Sequence, residues 1–94
     1  MKIEANNKIN TNFFSLAGYL HCSLKEVIQA FPNGRMEGYE DDGYAGIEIG
    51  FLAENGDGFY VYARNGITRI GCFGGSHNPN WLTVKNFIES KIKN

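Results

Sequence analysis

Hydrophobic positions recur along this chain at two spacings, and these divide it into strands and helices. From Tyr44 to Glu54 the residues Ala45, Ile47, Ile49, Phe51 and Ala53 fall on one side, and Gly46, Glu48, Gly50, Leu52 and Glu54 on the other. A period of two predicts a half-buried strand, because successive side chains leave the backbone on opposite faces. Phe59 to Arg64 repeats the pattern, setting Phe59, Val61 and Ala63 against Tyr60, Tyr62 and Arg64, and Ile67 to Phe73 follows as a further strand. Asn65-Gly66 between them is the strongest two-residue hairpin signal, since a type I′ turn needs positive φ at both central positions. Asn55-Gly56-Asp57-Gly58 marks the turn before. The run Phe13 to His21, apolar and aromatic but broken by Gly18, is expected as the first strand. Residues 1–11 show no clean period and are expected to be loosely held, with at most a short edge strand at Lys2–Ala5.

The spacing of three and four appears twice. Leu24, Val27, Ile28 and Phe31 form one apolar helical stripe. Ser23 and Glu26 open it as a capping box, each side chain placed to satisfy the other's backbone amide. Pro32 closes it, because the residue before proline avoids the α region. Later, Trp81, Val84, Ile88 and Ile92 share a face, preceded by Asn78 as a cap with Pro79 at the first helical position. Lys91 and Lys93 suit the negative end of that helix. Arg35 to Gly43 is polar, glycine-bearing and expected as loop.

Register follows from the turns. A two-residue loop at Asn65-Gly66 pairs Arg64 with Ile67, Tyr62 with Arg69, Val61 with Ile70, and Phe59 with Cys72. Directly opposed residues share a face. One face is then Phe59, Val61, Ala63, Thr68, Ile70 and Cys72, and the other Tyr60, Tyr62, Arg64, Ile67, Arg69 and Gly71. For Ile47, Ile49 and Phe51 to join the first face, the loop around Asn55–Gly58 must contain an odd number of residues, with a glycine in the left-handed region. The expected fold is α+β: a four-stranded, mostly antiparallel sheet in the order strand, helix, three-stranded meander, helix. Both helices pack on the apolar face, leaving the Tyr/Arg face for solvent or a partner.

Composition narrows the function classes. Ninety-four residues, 43% of them hydrophobic, make one globular domain over 1–94. Nine basic and ten acidic residues give a net charge of −1. That balance argues against a general nucleic-acid binder, which needs clustered cations against phosphate. No apolar run approaches the ~20 residues of a membrane span, so no membrane association and a cytoplasmic location are expected.

Candidate chemistry is sparse. The face of Tyr60, Tyr62, Arg64 and Arg69, with Glu48 across from it, is the principal candidate for partner binding, because Tyr and Arg combine large contact area with directional hydrogen bonds. Gly58 to Tyr62 (GFYVY) has the aromatic alternation of an RNA-recognition strand, but Asp57 and Tyr60 stand where that pattern places a basic and a small residue. Gly74, Gly75, Ser76 and His77 precede a helix start, where free backbone amides can cradle an anion. They match neither the phosphate-loop nor the dinucleotide fingerprint. His21, Cys22, Cys72 and His77 lack the short spacings of a structural zinc site. Cys72 with His77 lacks a third orienting group for nucleophilic catalysis. Glu40, Asp41 and Asp42 read as a solvated acidic loop. No enzyme activity, metal or cofactor is expected.

A helix ending in Phe31-Pro32, a loop ending in Asp42-Gly43-Tyr44, the strand with Gly58 and Tyr62, and Arg69-Ile70-Gly71 before a closing helix together resemble a group of small phage-encoded early or accessory proteins. The third strand of that group ends in Trp and Gly-Gly, whereas this chain has Arg69-Ile70-Gly71-Cys72-Phe73 before Gly74-Gly75. The resemblance spans Ser23 to about Ser90 and implies a non-enzymatic protein that occupies a host protein, including antiviral defence factors. It carries over no functional residue. A second reading from the residues is sequestration of a small anionic ligand, such as a nucleotide, by the Tyr/Arg face and the Gly74–Ser76 amides. A homo-oligomer is compatible with both.

Overall fold

The computed structural model describes residues 1–37 and 46–93. Along these the order is β1 (Ile3–Ala5), β2 (Phe14–Tyr19), α1 (Leu24–Ala30), β3 (Arg35–Glu37), β4 (Ile47–Ala53), β5 (Gly58–Arg64), β6 (Ile67–Phe73) and α2 (Trp81–Lys93), with short 3₁₀ turns at Pro32–Gly34 and Gly75–His77. The α+β class and the antiparallel sheet agree with the sequence, but the sheet has six strands among the described residues rather than four. Its order is β1-β4-β5-β6-β2, and β3 shares the outer edge of β4 with β1. The strands beyond the expected four are the three-residue β1, at the short edge strand allowed for at Lys2–Ala5, and β3, where a loop was expected. The expected start of a strand at Tyr44, most of the Gly/Asp loop and its acidic residues lie outside the described residues. No helix among the described residues is long and apolar enough to cross a membrane.

The meander has the expected register. Asn65 and Gly66 both have positive φ, 53° and 77°, and Tyr62 opposes Arg69, Val61 opposes Ile70, and Phe59 opposes Cys72. On the other side of β5, Ile49 opposes Val61 and Phe51 opposes Phe59. The last pair there is Leu52 with Gly58, which leaves residues 53–57 as the odd-numbered loop. Gly56 turns it at φ 92°, and the Ala53 amide donates to the Asp57 carbonyl at 2.8 Å. Ile49, Phe51, Phe59, Val61, Ile70 and Cys72 are all fully buried on the first face.

Both helices cover that face. The capping box forms: the Glu26 amide donates to Ser23 Oγ at 3.1 Å, and the Ser23 amide to Glu26 Oε1 at 2.9 Å. Val27 of α1 and Val84 and Ile88 of α2 are fully buried in the core, and Phe31 meets Phe51 edge-on at 4.9 Å. Gly18 of β2 lies under Trp81, where a Cβ would come within 2.5 Å of the indole. That contact explains the glycine interrupting an otherwise apolar strand.

Beyond the edge strand β1, the N-terminal segment is not the loose start expected from its sequence. Four successive antiparallel pairings link β1 to β2 across the sheet, so these two strands run parallel at opposite edges. The sheet between them is about 19 Å wide at ~4.8 Å per strand, and residues 6–13 reach at most about 28 Å. The connection must therefore cross one sheet face with little slack. It crosses the second face, the one opposite the helices. Asn6 donates to the Gly50 carbonyl at 2.9 Å, and Ile9 lies over Gly50 and Gly58.

Candidate functional site

The register arranges the second face as three successive rows with a hairpin end. The first row runs Glu4, Leu52, Gly58, Phe73, Phe14; the second Gly50, Tyr60, Gly71, Leu16; the third Met36, Glu48, Tyr62, Arg69, Tyr19; and Arg64 and Ile67 close the hairpin end. Tyr60, Tyr62, Arg64 and Arg69 therefore do share this face, as the alternation required. Three glycines leave gaps in the rows, and neighbours fill them. Ile9, Met36 and the Asn6 backbone fill Gly50, Phe14 and Ile9 fill Gly58, and the Tyr60 ring lies on Gly71.

This packing corrects the expectation of a solvated face. Tyr62 is 8% exposed. Tyr60 and Arg69 are half-buried, and Arg64 is exposed. Tyr60 stacks on Tyr62 with ring centroids 4.8 Å apart and planes 25° from parallel, and Phe14 tilts onto Tyr60 at 5.5 Å. Burial pushes the Tyr62 phenol above its ordinary range, opposed by the Arg69 charge, a hydrogen bond with Tyr60 and the Arg64 charge. On the β4 side, then, the face is a second small core.

Its β6–β2 side is different. Tyr19 is 50% exposed, Ile67 49% and Phe73 67%, with Leu16 also exposed between them. Phe13, at φ 66°, stands almost wholly in solvent beside Phe14. The Arg69 guanidinium lies over the Tyr19 ring, 5.4 Å from its centroid. Among the described residues its buried Nε has no hydrogen-bond partner. Aromatic and aliphatic groups in the open around an arginine are the composition of a contact surface rather than of a catalytic centre.

Gly74, Gly75, Ser76 and His77 do not join this cluster. They follow Phe73, five residues beyond Arg69 along the chain, or about 16 Å at strand rise. Gly74 and Gly75 both have positive φ, and Gly75 packs against the Leu16 carbonyl, where a Cβ would lie at 2.8 Å. The His77 amide donates to the Gly74 carbonyl at 3.0 Å and the Asn78 amide to the Gly75 carbonyl at 3.1 Å. Those donors turn the chain towards α2, where Asn78 Oδ1 accepts the Asn80 amide at 2.9 Å in an Asx turn. The helix itself starts at Trp81 rather than at Pro79, with the Val84 amide donating to the Asn80 carbonyl at 3.1 Å, so Asn78 is not its cap as the sequence suggested.

The remaining polar candidates are structural in their surroundings. Burial raises the Cys72 thiol to about 11, reinforced by Asp57 and opposed by the Gly75 backbone. The thiol donates to the Gly75 carbonyl at 3.4 Å. Burial, then Glu89 and Glu26, raise the half-buried Cys22 as well. A thiol kept protonated is a poor nucleophile at neutral pH. Among the described residues no three His, Cys, Asp or Glu side chains gather as a metal site. A hollow of about 320 Å³ at Lys2, Glu4, Leu52, Ala53, Glu54 and Gly56 contains none of the candidate residues.

Two features escaped the sequence reading. One is the cover over the second face, signalled by glycines at strand positions 50, 58 and 71, where close approach is the usual reason. The other is Glu89, a buried carboxylate on α2 that accepts the His21 amide at 2.8 Å and Lys85 Nζ at 3.3 Å. Burial pushes its carboxyl up, but the His21 amide and Lys85 outweigh that and hold it below its ordinary value. The i,i+4 pairing with Lys85 was the visible sign. Comparison with known proteins adds no identity: no family model, curated protein or solved structure matches the chain.

Proposed function

We propose that this is a non-enzymatic binding protein that acts by occupying another protein through the β6–β2 side of its second sheet face. The observation that carries this reading is the concentration of open apolar side chains there, Tyr19, Leu16, Ile67 and Phe73, around the half-buried Arg69. The rest of the same face is packed by Ile9, Phe14 and the stacked tyrosines, and beside it Arg69 lies over the Tyr19 ring. A pre-ordered surface loses little side-chain entropy on association. The resemblance to phage-encoded proteins makes the partner a host protein, with inhibition of a defence factor in the host cytoplasm as the biological role. The small-anion alternative is less well supported, because Arg69 and the Gly74–Ser76 turn are about 16 Å apart along β6.

The test begins with recovery of the partner from a candidate host lysate on immobilised wild-type protein. Tyr19→Ala and Ile67→Glu should then each weaken its affinity by more than ~1 kcal/mol while leaving the melting temperature near that of wild type. A partner bound equally well by both variants contradicts the reading. A melting temperature raised several degrees by a nucleotide, with no protein captured, favours the small-ligand alternative.

A further inference from the structure

The β6–β2 half-face carries a charge imbalance that specifies the chemistry of its partner. β2 has no charged residue, and Arg69 is the sole charge of β6. Glu48, the acid of the same row, lies two strands away on β4, about 10 Å across the sheet. The ion pairs of Met1 with Glu54 and of Lys85 with Glu89 do not involve Arg69. Arg69 thus sits amid apolar groups with an unpartnered buried Nε and its guanidinium spread on Tyr19.

We infer, on the basis of the binding function proposed above, that this half-face receives an acidic, apolar segment of the partner protein. A carboxylate of that segment docks on Arg69, and its apolar side chains lie on Tyr19, Leu16, Ile67 and Phe73. The planar guanidinium matches a carboxylate, and a charge-assisted hydrogen bond gains strength where apolar neighbours exclude water. A second copy of this chain fits less well, because a two-fold pairing of the same patch brings Arg69 towards its own copy. A single-stranded nucleic acid also fits less well. Its backbone needs a track of cations, and the aliphatic Leu16 and Ile67 offer no ring on which a base stacks.

The experiment titrates the full ¹⁵N-labelled chain with three probes. These are a capped peptide of alternating aspartate and leucine, its lysine–leucine counterpart, and oligothymidylate. The aspartate–leucine peptide should shift the Arg69 Nε–H resonance together with the amides of Tyr19 and Ile67, and the other two should not. Arg69→Gln should weaken that binding about tenfold to a hundredfold, the span of a charge-assisted hydrogen bond. Ile67→Glu, at an exposed site that leaves folding intact, should abolish it by placing a carboxylate beside the anchor. Equal binding of both peptides at this face overturns the acidic-segment inference and leaves the protein-binding function standing. Shifts at this face from oligothymidylate alone, or from none of the probes, overturn both.

Discussion

Gly50→Ala should destabilise this protein, although the same change stabilises most strands. Gly50 is not among the glycines with positive φ, so its backbone accepts a side chain without strain. Where space allows, replacing glycine with alanine at such a site gains about 0.4–1 kcal/mol by restricting the unfolded chain. Here the new methyl would be driven into the Asn6 carbonyl, with Ile9 and Met36 each 3.1 Å away. Asn6 is backbone, tied to Gly50 by its own 2.9 Å hydrogen bond, so the crossing segment as a whole has to lift. Overpacking of this kind costs about 1–3 kcal/mol, which outweighs the gain. A net loss of about 1–2 kcal/mol corresponds to a fall of roughly 4–16 °C in melting temperature for a domain of this size. Calorimetry measures the loss, and hydrogen exchange locates it as faster exchange of the Asn6 amide. Gly58→Ala is the internal control, because its methyl meets only the movable Phe14 ring at 3.3 Å and Ile9 at 3.6 Å. A Gly50→Ala protein as stable as wild type, with Asn6 still protected, would refute the crossing of residues 6–13 over this face.

Other expectations follow from the same packing. Ile88→Ala should cost about 2–5 kcal/mol in urea unfolding, since the side chain is fully buried beneath the sheet. Tyr62→Ala should cost about 3 kcal/mol, whereas Ile67→Ala on the same face should change stability by less than about 0.5 kcal/mol. Glu89, with its folded-state carboxyl held below the ordinary value, contributes stability that is full above about pH 4.5 and lost as pH falls through the lowered value. Glu89→Gln should therefore flatten the acid limb of a stability-versus-pH curve, and an unchanged limb would contradict the His21–Glu89 link.

The meander was legible because its information is local. Alternation assigned Ile49, Val61 and Ile70 to one face, Asn65-Gly66 set the hairpin register, and the need to keep Phe51 with Phe59 demanded the odd loop. Ser23 and Glu26 likewise announced α1 through a box spanning four residues. The short strand β3 was not legible, and β1 only as the short edge strand allowed for at Lys2–Ala5. Three residues carry too little periodicity, and both are defined by pairing with the edge of β4, far away in sequence. The candidate face was half legible. Its membership followed from register, but its division into a packed side and an open side depends on where residues 6–13 run. That path is set by β1 and β2 occupying opposite edges, which no local pattern encodes. The loop Gly74–His77 drew attention for its glycines, yet their positive φ and the buried contact with Leu16 give them a chain-turning role.

The central claim, that the β6–β2 half of the second face is the working surface, is tested most directly by hydrogen exchange on the complex with the captured partner. The account predicts new protection along β2 and β6, centred on the amides of Tyr19, Ile67 and Arg69, with α1 and α2 unchanged. Protection confined to the helices or to Gly74–His77, with β2 and β6 exchanging as in the free protein, would contradict it.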